Sequence, residues 1–447
     1  MTNSHSETAR QLVHMGSGCF ALLLRYLTWW QAAGLACAAI AFNAAVLPLV
    51  GGRRLYRPSD HARGFPVGIL IYPAAVLLLI LAFPTRPDIA AAAWGILAFG
   101  DGAATLVGRR FPSASLAWNR EKSVGGTVAF VICGSAAGVV LATWTRGAVS
   151  PLPPLMFALL APAVAAVVAG FVETIPVRLD DNISVPIVAA ATLWFGSVTS
   201  SMAFASTRDE FLALVPRAIA VNAVVSWLGY RARTVTVAGM LAGAFVGMVI
   251  YACAGGAAWL FLFSAFFIAT AASRLGLKRK NLLGIAEEHG GRRGAGNAFA
   301  NCGVATIAAA AVVFTPHSAP AMLAFVAALT AGGSDTVASE IGKAWGRATF
   351  LVTTLGRVKP GTPGAMSLEG TAAGIVAAFG LAALAAELGL VPSWTVVPIV
   401  VAATAGSLVE SALGATLEGP GILNNDMLNF INTAVAAGVA LALYFRL

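Results

Sequence analysis

Residues 89–107 read IAAAAWGILAFGDGAATLV, an apolar run that only Asp101 interrupts, close to its end. A run of about 20 apolar residues is long enough to cross the hydrocarbon core of a bilayer as an α-helix. Similar runs recur along the whole chain of 447 residues, of which 58% are hydrophobic and 11% are charged. Soluble proteins carry roughly 25% charged residues. The sequence therefore predicts a multi-span membrane protein and excludes the soluble, disordered and disulfide-rich classes.

The apolar runs also decide between the two kinds of membrane-spanning structure. They are continuous in Ala, Leu, Val, Gly and Ile and do not alternate with period two, which favours helices over a β-barrel. We predict an all-α polytopic protein with about 14–15 transmembrane helices. Five of the predicted spans cover residues 16–28, 183–205, 211–230, 234–254 and 257–272.

The basic residues predict how the chain lies in the membrane. Lys and Arg accumulate in the short cytoplasmic loops of membrane proteins. With the N-terminus placed in the cytoplasm, the cytoplasmic loops hold 21 of the 28 Lys and Arg residues. We therefore predict an integral protein of the inner, or cytoplasmic, membrane. The net charge of +9 follows from this topology, so nucleic acid is not expected as a partner.

Four polar signatures occur twice along the chain, in the same order. They are Asp101 with Asp335, Ser123-x-x-Gly126-Thr127 with Ser367-x-x-Gly370-Thr371, Glu173 with Glu410, and Asp181-Asn182 with Asn425-Asp426. The two copies are eight predicted spans apart. Because eight is even, both copies have the same orientation in the membrane, which predicts two parallel tandem repeats. We place the two domains at residues 1–207 and 208–447.

These signatures combine residue types that bind metal ions and phosphates. Carboxylates within membrane helices are costly unless they face a polar cavity or a cation, and carboxylate oxygens beside phosphates are usual ligands of Mg²⁺. The candidate metal ligands are Asp101, Glu173, Asp181, Asn182, Asp335, Glu340, Glu410, Asn425 and Asp426. The candidate phosphate-binding residues are Arg109, Arg110, Ser123, Gly126, Thr127, Lys359, Ser367, Gly370 and Thr371. The candidate catalytic residues are Asp101, Lys122, Glu173, Asp335, Lys343 and Glu410. Together they indicate a nucleoside triphosphate bound at the membrane surface.

Simpler roles remain open for the same residues. The serines and threonines of the repeated motif are also typical helix caps, and the arginines are also typical topology determinants. Buried ion pairs are the alternative role for the carboxylates. His14 and His317 are interpreted as interfacial or packing residues rather than as catalytic ones.

The motifs of the first half resemble those of a known enzyme family. Its matching segments are residues 10–14, 72–73, 100–102, 108–110, 119–123, 173–176 and 181–186. These segments are similar to the phytol kinases and, more distantly, to the dolichol kinases. From about residue 211 onward the chain resembles a second family, the phytyl-phosphate kinase-like membrane proteins. The segments that carry this second resemblance are residues 284–287, 290–293, 300–301, 334–343, 364–371 and 425–432.

The two resemblances imply a bifunctional isoprenoid-alcohol kinase. The first half would transfer a phosphoryl group from CTP, with Mg²⁺, to a prenyl alcohol of the phytol, geranylgeraniol or farnesol type. The second half would convert the monophosphate to the diphosphate. Met366 stands where the first half has Lys122, so the second half would contact phosphate through Lys359 or Lys343. The alternatives are a repeat-built transporter of a lipid phosphate or anion and a CTP-dependent phospho-alcohol transferase.

Overall fold

The computed structural model of the chain describes residues 2–50, 67–111, 113–116, 119–174, 181–276, 279–280, 292–419 and 423–446. Almost all of these residues are helical, and the predicted all-α polytopic fold is confirmed. Some of the basic loop residues counted above lie outside the described part, among them Arg53, Arg54, Arg57, Arg63, Arg178 and Lys278, and so do the motif residues 175–176 and 284–291.

The chain divides into two compact units, Met1–Val198 and Thr199–Leu447. The boundary falls at the break between two helices, whereas the domain boundary predicted at residue 207 lies inside the second of them. Ser200 fixes the break, because its side chain caps the following helix by accepting a hydrogen bond from the amide of Ala203 (3.3 Å).

The first unit contains seven helices within the described residues. They are α1 (Thr2–Gly18), α2 (Trp29–Val46), α3 (Val67–Ala82), α4 (Pro87–Arg110), α5 (Val124–Thr145), α6 (Leu155–Glu173) and α7 (Asp181–Val198). A 3₁₀-helix, Cys19–Arg25, follows α1. The predicted span 16–28 is therefore not one continuous α-helix, because the end of α1 and this 3₁₀ segment share its residues.

The second unit also contains seven helices within the described residues. They are α8 (Ser201–Arg231), α9 (Val237–Arg274), α10 (Ala295–Phe314), α11 (Ser318–Trp345), α12 (Leu368–Glu387), α13 (Val396–Leu413) and α14 (Asn425–Tyr444). A short antiparallel sheet joins α11 to α12. Its strands are β1 (Thr349–Leu351), β2 (Arg357–Val358) and β3 (Ala365–Ser367), in the order β2-β1-β3. This sheet occupies the longer loop of the second sequence copy.

One helix in each unit is far more buried than its neighbours. The apolar windows of α4 and α11 are 67% and 72% buried, against at most 33% for the other long apolar helices of the described chain. Their alanines and glycines let neighbouring helices approach closely. Each unit is thus built around a central helix, and each central helix carries one of the repeated aspartates, Asp101 or Asp335.

Eleven described helices are long and apolar enough to cross a membrane, and a shorter apolar helix covers Gly68–Ala82. The smaller number than predicted has structural causes. The predicted spans 234–254 and 257–272 both fall within α9, and the predicted span 183–205 is divided between α7 and α8. A straight helix of 38 residues would be about 57 Å long, well beyond a hydrocarbon core of about 30 Å. The backbone of α9 breaks at Gly255 (φ 83°, ψ 177°), which yields two segments of membrane-spanning length.

The break at Gly255 leads to a stability prediction. Its backbone conformation is one that essentially only glycine adopts, at a cost of about 1–3 kcal/mol for other residues. A Cβ atom at Gly255 would meet no other atom within 4 Å, so a substitution there tests the backbone alone. We expect Gly255→Ala to lower the free energy of unfolding in detergent by about 1–3 kcal/mol. The matched control is Gly380→Ala, in the helical interior of α12 and also in open space. The control should retain full stability, and equal stability of the two variants would contradict the role of the break.

Candidate functional site

The site of the first unit begins with a distortion of its central helix. Residues Ile96–Asp101 of α4 form a π-helical turn, a local feature that is frequent at functional sites. Asp101 ends this turn, and its side chain is 16% exposed. Its carboxylate, together with those of Glu173 and Asp181, forms a cluster whose ligand atoms lie within 4.8 Å of one another. We refer to these three residues as the first carboxylate cluster.

Lys122 is a cation in direct contact with the first carboxylate cluster. Its ammonium group donates hydrogen bonds to Glu173 and, over 3.0 Å, to Asp181. Burial alone would lower the pKa of Lys122, but the neighbouring carboxylates of Asp181 and Glu173 outweigh burial and raise the pKa above its ordinary value. Lys122 is therefore positively charged at neutral pH, and it holds two of the three carboxylates in place.

The loop before α5 fixes the position of Lys122. The side-chain amide of Asn119 donates to the carbonyl of Thr174 (3.1 Å), which ties this loop to the end of α6. Glu173, the preceding residue, is thereby brought beside Lys122. The phytol-kinase-like segment 119–123 thus connects two helices of the site.

His14 approaches the third carboxylate. Its Nε2 atom lies 3.7 Å from Oδ2 of Asp101, and its ring is tilted against that of Tyr72 with centroids 4.4 Å apart. Tyr72 accepts a hydrogen bond from Nε1 of Trp94 (2.7 Å). The packing role predicted for His14 is therefore incomplete, because the ring also faces Asp101. Its signal in the sequence was the segment 10–14 shared with the phytol kinases.

The repeated Ser-x-x-Gly-Thr motif forms a helix cap in both units. The hydroxyl oxygen of Ser123 accepts from the amide of Gly126 (3.2 Å), and that of Ser367 accepts from the amide of Gly370 (3.1 Å). Capping is the simpler of the two roles left open for these serines. The amide groups of the first turn still make each helix N-terminus attractive to an anion.

The glycines of the motif allow two helices to cross closely. A Cβ atom at Gly126 would lie 3.0 Å from the carbonyl oxygen of Ala104, and one at Gly370 would lie 2.5 Å from that of Ala338. Because Gly126 has no side chain, α5 can pack closely against α4. Gly370 allows the same close packing of α12 against α11. In both units this crossing brings the capped N-terminus to the central helix that carries the aspartate.

The site of the second unit is a polar cavity of about 330 Å³. It gathers most of the candidate residues of that half of the sequence. These are Asp335, Glu340, Lys343, Ser367, Gly370, Thr371, Glu410 and Asn425. We refer to it as the polar cavity.

The two repeated carboxylates of the polar cavity differ in their contacts. Oδ1 of Asp335 accepts a hydrogen bond from the hydroxyl of Ser407 (2.5 Å). Oε2 of Glu410 is buried and has no hydrogen-bond partner among the described residues. An unpaired carboxylate oxygen in a buried site is costly, so Oε2 of Glu410, a residue that lines the polar cavity, can accept from a bound group.

A second ion-pair network, which sequence reasoning missed, lies at the edge of the polar cavity. Lys280 is 1% exposed, donates to Glu340 and donates to the carbonyl of Ser273 (2.7 Å). Glu340 also accepts from Lys343 (3.3 Å). The sequence predicts Lys280 as an ordinary residue of a basic cytoplasmic loop. Its ion-pair partner, Glu340, is 60 positions away, so no local motif indicates the contact. Glu340 is thus the acceptor of an ion-pair network, and Lys343 is held beside the carboxylates.

Six further predicted residues differ in their exposure and contacts. Arg109, Arg110 and Lys359 are exposed, and none of the ion pairs found within the described chain includes them. Asp426 accepts from the side-chain amide of Asn297 (3.0 Å) and does not line the polar cavity. Asn182 is buried, and Thr127 donates to the carbonyl of Ser123 (3.2 Å).

The contacts of Lys122 lead to a second prediction. Removing one partner of a buried ion pair leaves an uncompensated charge and costs about 3–5 kcal/mol when burial is complete. Glu173 is 3% exposed but Lys122 is 28% exposed, so we expect Lys122→Met to destabilise the protein by about 2–4 kcal/mol. Lys122→Arg should lose less because it keeps the charge. The control is Lys359→Met, which replaces an exposed lysine. Its free energy of unfolding in the same detergent assay should equal that of the natural protein.

The pH dependence of this loss has a defined direction. The pKa of Lys122 is raised by folding, so its stabilising contribution is complete below the unfolded value of about 10.4 and is lost as the pH rises through the folded value. The difference in unfolding free energy between the natural protein and Lys122→Met should be constant at neutral pH and should narrow above about pH 10.4. A difference that does not change up to strongly alkaline pH would contradict this ion pair.

Comparisons with known proteins place the chain in a family. Residues 220–437 match the family described as integral membrane protein DUF92. The chain is 39% identical over 201 residues to an uncharacterized membrane protein of Synechocystis. The aligned region covers 44% of this chain and 78% of that protein. It is 36% identical over 233 residues to the chloroplastic protein VTE6 of Arabidopsis thaliana, covering 50% of this chain and 70% of that protein.

A further similarity is to kinases. The chain is 31% identical over 208 residues to the chloroplastic phytol kinase 1 of Arabidopsis thaliana, covering 42% of this chain and 66% of that protein. No solved structure matches the chain. The chain belongs to the DUF92 family of integral membrane proteins.

Proposed function

We propose that this protein is a membrane-bound isoprenoid-alcohol kinase with two phosphoryl-transfer sites. The first unit phosphorylates a prenyl alcohol, and the second unit phosphorylates the resulting monophosphate, with CTP as the donor in both steps. The observation that carries the proposal is that each unit brings a carboxylate of its buried central helix together with a second carboxylate, a lysine and a capped helix N-terminus. The similarity to the phytol kinases supports the reaction class.

Correspondence between the two sites supports a tandem repeat. Asp101 and Asp335 lie on the two most buried helices, and Ser123 and Ser367 cap the helices that cross them. Each capping serine also takes part in a β-type pairing. Ser123 forms a single bridge with Ser115 in the first unit, and Ser367 is the last residue of strand β3 in the second. We propose that the two units are copies of one ancestral site, both facing the cytoplasm as the loop charges predict.

The first carboxylate cluster has the donor chemistry that Mg²⁺ requires. Asp101, Glu173 and Asp181 offer oxygen ligands within 4.8 Å of one another, and hard oxygen ligands are what this ion prefers. Lys122 compensates only part of their negative charge, so the cluster can accept a further cation. When bound, Mg²⁺ would neutralise charge on the nucleotide phosphates. Asp101, Glu173 and Asp181 would hold it.

The residues of the first unit can then carry out the transfer. Lys122 donates hydrogen bonds to phosphate oxygens, and a carboxylate of the cluster accepts the proton of the acceptor hydroxyl. The alcohol oxygen forms a bond to the γ-phosphorus as the bond between that phosphorus and the β-γ bridging oxygen breaks. The products are the prenyl monophosphate and the nucleoside diphosphate. His14 would hold Asp101 in position for this role, since it lies 3.7 Å away.

The second transfer needs less from its residues. The acceptor is an oxygen of a monophosphate, which is already largely ionised at neutral pH, so no base must remove a proton. The requirement that remains is to bring two anionic phosphates together, and this depends on positive charge. Lys343 donates to phosphate oxygens, Lys280 compensates part of the charge of Glu340, which contacts both lysines, and Asp335 with Glu410 would hold Mg²⁺ in the polar cavity. The tight Ser407 contact orients Asp335.

Separate variants should divide the two reactions. We expect Asp101→Asn to abolish phosphorylation of the alcohol while leaving phosphorylation of the monophosphate intact, because the lost charge is confined to one site. Asp335→Asn should do the reverse and let monophosphate accumulate. Products are identified by mass spectrometry after purified protein is incubated with CTP, Mg²⁺ and geranylgeraniol or its monophosphate.

The control and the contrary outcomes are defined by the same assay. Asp209→Asn replaces an exposed aspartate of α8 and should leave both reactions unchanged. Loss of both reactions in either site variant would show one shared site. No nucleotide consumption with any prenyl substrate would refute the kinase and favour a transporter.

The Mg²⁺ requirement can be assigned to a residue. We expect Glu173→Gln to raise the Mg²⁺ concentration for half-maximal alcohol phosphorylation several-fold, because the cluster loses one negative charge and one metal-binding carboxylate. The control is Glu121→Gln, which removes an exposed carboxylate directly before Lys122 in the sequence. This variant should leave the Mg²⁺ requirement unchanged. An unaltered Mg²⁺ requirement in Glu173→Gln would leave Glu173 as an ion-pair partner of Lys122 only.

A further inference from the structure

A second cavity lies in the Thr199–Leu447 unit, between helices α8, α9, α10 and α11. Its volume is about 420 Å³, within the range of about 300–1,000 Å³ that is usual for small-molecule sites. Most of its wall is apolar, with contributions from Met240, Val246, Leu262 and Phe266. We call it the apolar cavity.

Two polar side chains of the apolar cavity are already used in hydrogen bonds within the protein. Asn222, which is 5% exposed, accepts a hydrogen bond from Nε1 of Trp259 (2.9 Å) and donates to the carbonyl of Ala218 (2.9 Å). This part of the cavity wall suits a hydrocarbon chain and disfavours a polar ligand.

The apolar cavity also reaches the outer surface of the unit. Leu228 and Phe263 both line it and are 51% and 39% exposed. They lie on helices long and apolar enough to cross a membrane, so this opening faces hydrocarbon when the protein is in a bilayer. A ligand with a long apolar chain can therefore enter sideways from the lipid without crossing water.

Neighbouring residues of α11 line the apolar cavity and the polar cavity. Gly332 lines the apolar cavity, while Asp335 and Thr336 line the polar cavity. Residues three and four positions apart lie on the same face of a helix, and one helical turn is about 5.4 Å long. A molecule whose chain fills the apolar cavity would thus have its head one turn from Asp335.

The groups near this junction favour an anionic head. Asn297, Asn301 and Arg293 line the apolar cavity on the side of α10. The guanidinium of Arg293 has a side-chain contact with Ser273 at 3.5 Å, and no ion pair found within the described residues includes it. Guanidinium and amide donors together bind phosphate oxygens.

We propose that the apolar cavity binds the isoprenoid chain of a prenyl monophosphate, with the phosphate directed past Gly332 toward Asp335. This inference rests on the function proposed above and assigns the acceptor subsite of the second unit. It also gives the second site its substrate class, since an amphiphile of this kind matches an apolar cavity that ends beside donors and a polar cavity.

Gly243 provides a direct test. It lines the apolar cavity, and a Cβ atom there would meet no other atom within 4 Å, so a larger side chain would occupy the cavity without disturbing a packed neighbour. We expect Gly243→Leu to weaken binding of tritiated geranylgeranyl monophosphate at least tenfold, measured with the full-length protein in detergent without nucleotide. Gly243→Ala should have a smaller effect, because it fills less of the cavity. Gly438→Leu, in equally open space on α14, should bind like the natural protein.

A photoreactive probe locates the chain independently of these variants. Geranylgeranyl monophosphate with a diazirine at its terminal isoprene unit should label the segment of α9 that contains Trp259 and Phe263. Labelling confined to other helices, or unchanged binding in a folded Gly243→Leu variant, would overturn the assignment. Displacement of the probe by an equal mole fraction of phosphatidic acid would also overturn it, because the cavity would then be a site for bulk lipid.

Failure of this inference is distinguishable from failure of the proposed function. Probe binding and diphosphate formation are measured on the same preparations of the natural protein and of Gly243→Leu. Binding that is sensitive to Gly243→Leu in a protein that forms no diphosphate would refute the kinase and retain the apolar cavity. Diphosphate formation that is equally fast in Gly243→Leu would refute the apolar cavity and retain the kinase.

Discussion

A carboxylate on a buried helix of a membrane protein must be compensated, and the arrangement of both units follows from this constraint. Asp101 and Asp335 lie on the most buried helices of their units, where an isolated charge would be costly. Around each of them the chain assembles hydroxyl, imidazole or ammonium groups from helices that are distant in sequence. The buried anion thus brings polar groups together, and the same groups are those that a phosphate and its metal ion need.

The two units provide positive charge by different routes. In the first, Lys122 directly precedes the capping serine and reaches Glu173 and Asp181 itself. In the second, Met366 stands at the equivalent position and Lys280 arrives from the segment after α9. Lys280 is fully buried and paired with Glu340, so it acts on the polar cavity by holding Glu340 rather than by contacting phosphate. Under the function proposed above, this difference suits an alcohol acceptor in one unit and an already ionised acceptor in the other.

Sequence reasoning predicted what depends on composition and on short spacings. The all-α class, the break at residues 255–256 and the grouping of Asp335, Ser367 and Glu410 all follow from apolar runs and repeated motifs. Contacts between distant segments could not be predicted in this way. The pairing of Lys280 with Glu340 and the approach of His14 to Asp101 depend on how helices pack. The small sheet after α11 depends on backbone pairing of Thr349–Leu351 with two later segments, Arg357–Val358 and Ala365–Ser367.

A lipid kinase must also solve a problem of phase, because its acceptor is dissolved in the bilayer while its donor is dissolved in water. Extracting a prenyl chain into water would cost about 0.8 kcal/mol for each CH₂ group, so the chain has to remain in apolar surroundings during transfer. The face of α11 meets this demand, since it changes from glycine to carboxylate within one turn between Gly332 and Asp335. In the proposed kinase, α11 can therefore serve both phases, because Asp335 lies one turn from Gly332 in the wall of the apolar cavity.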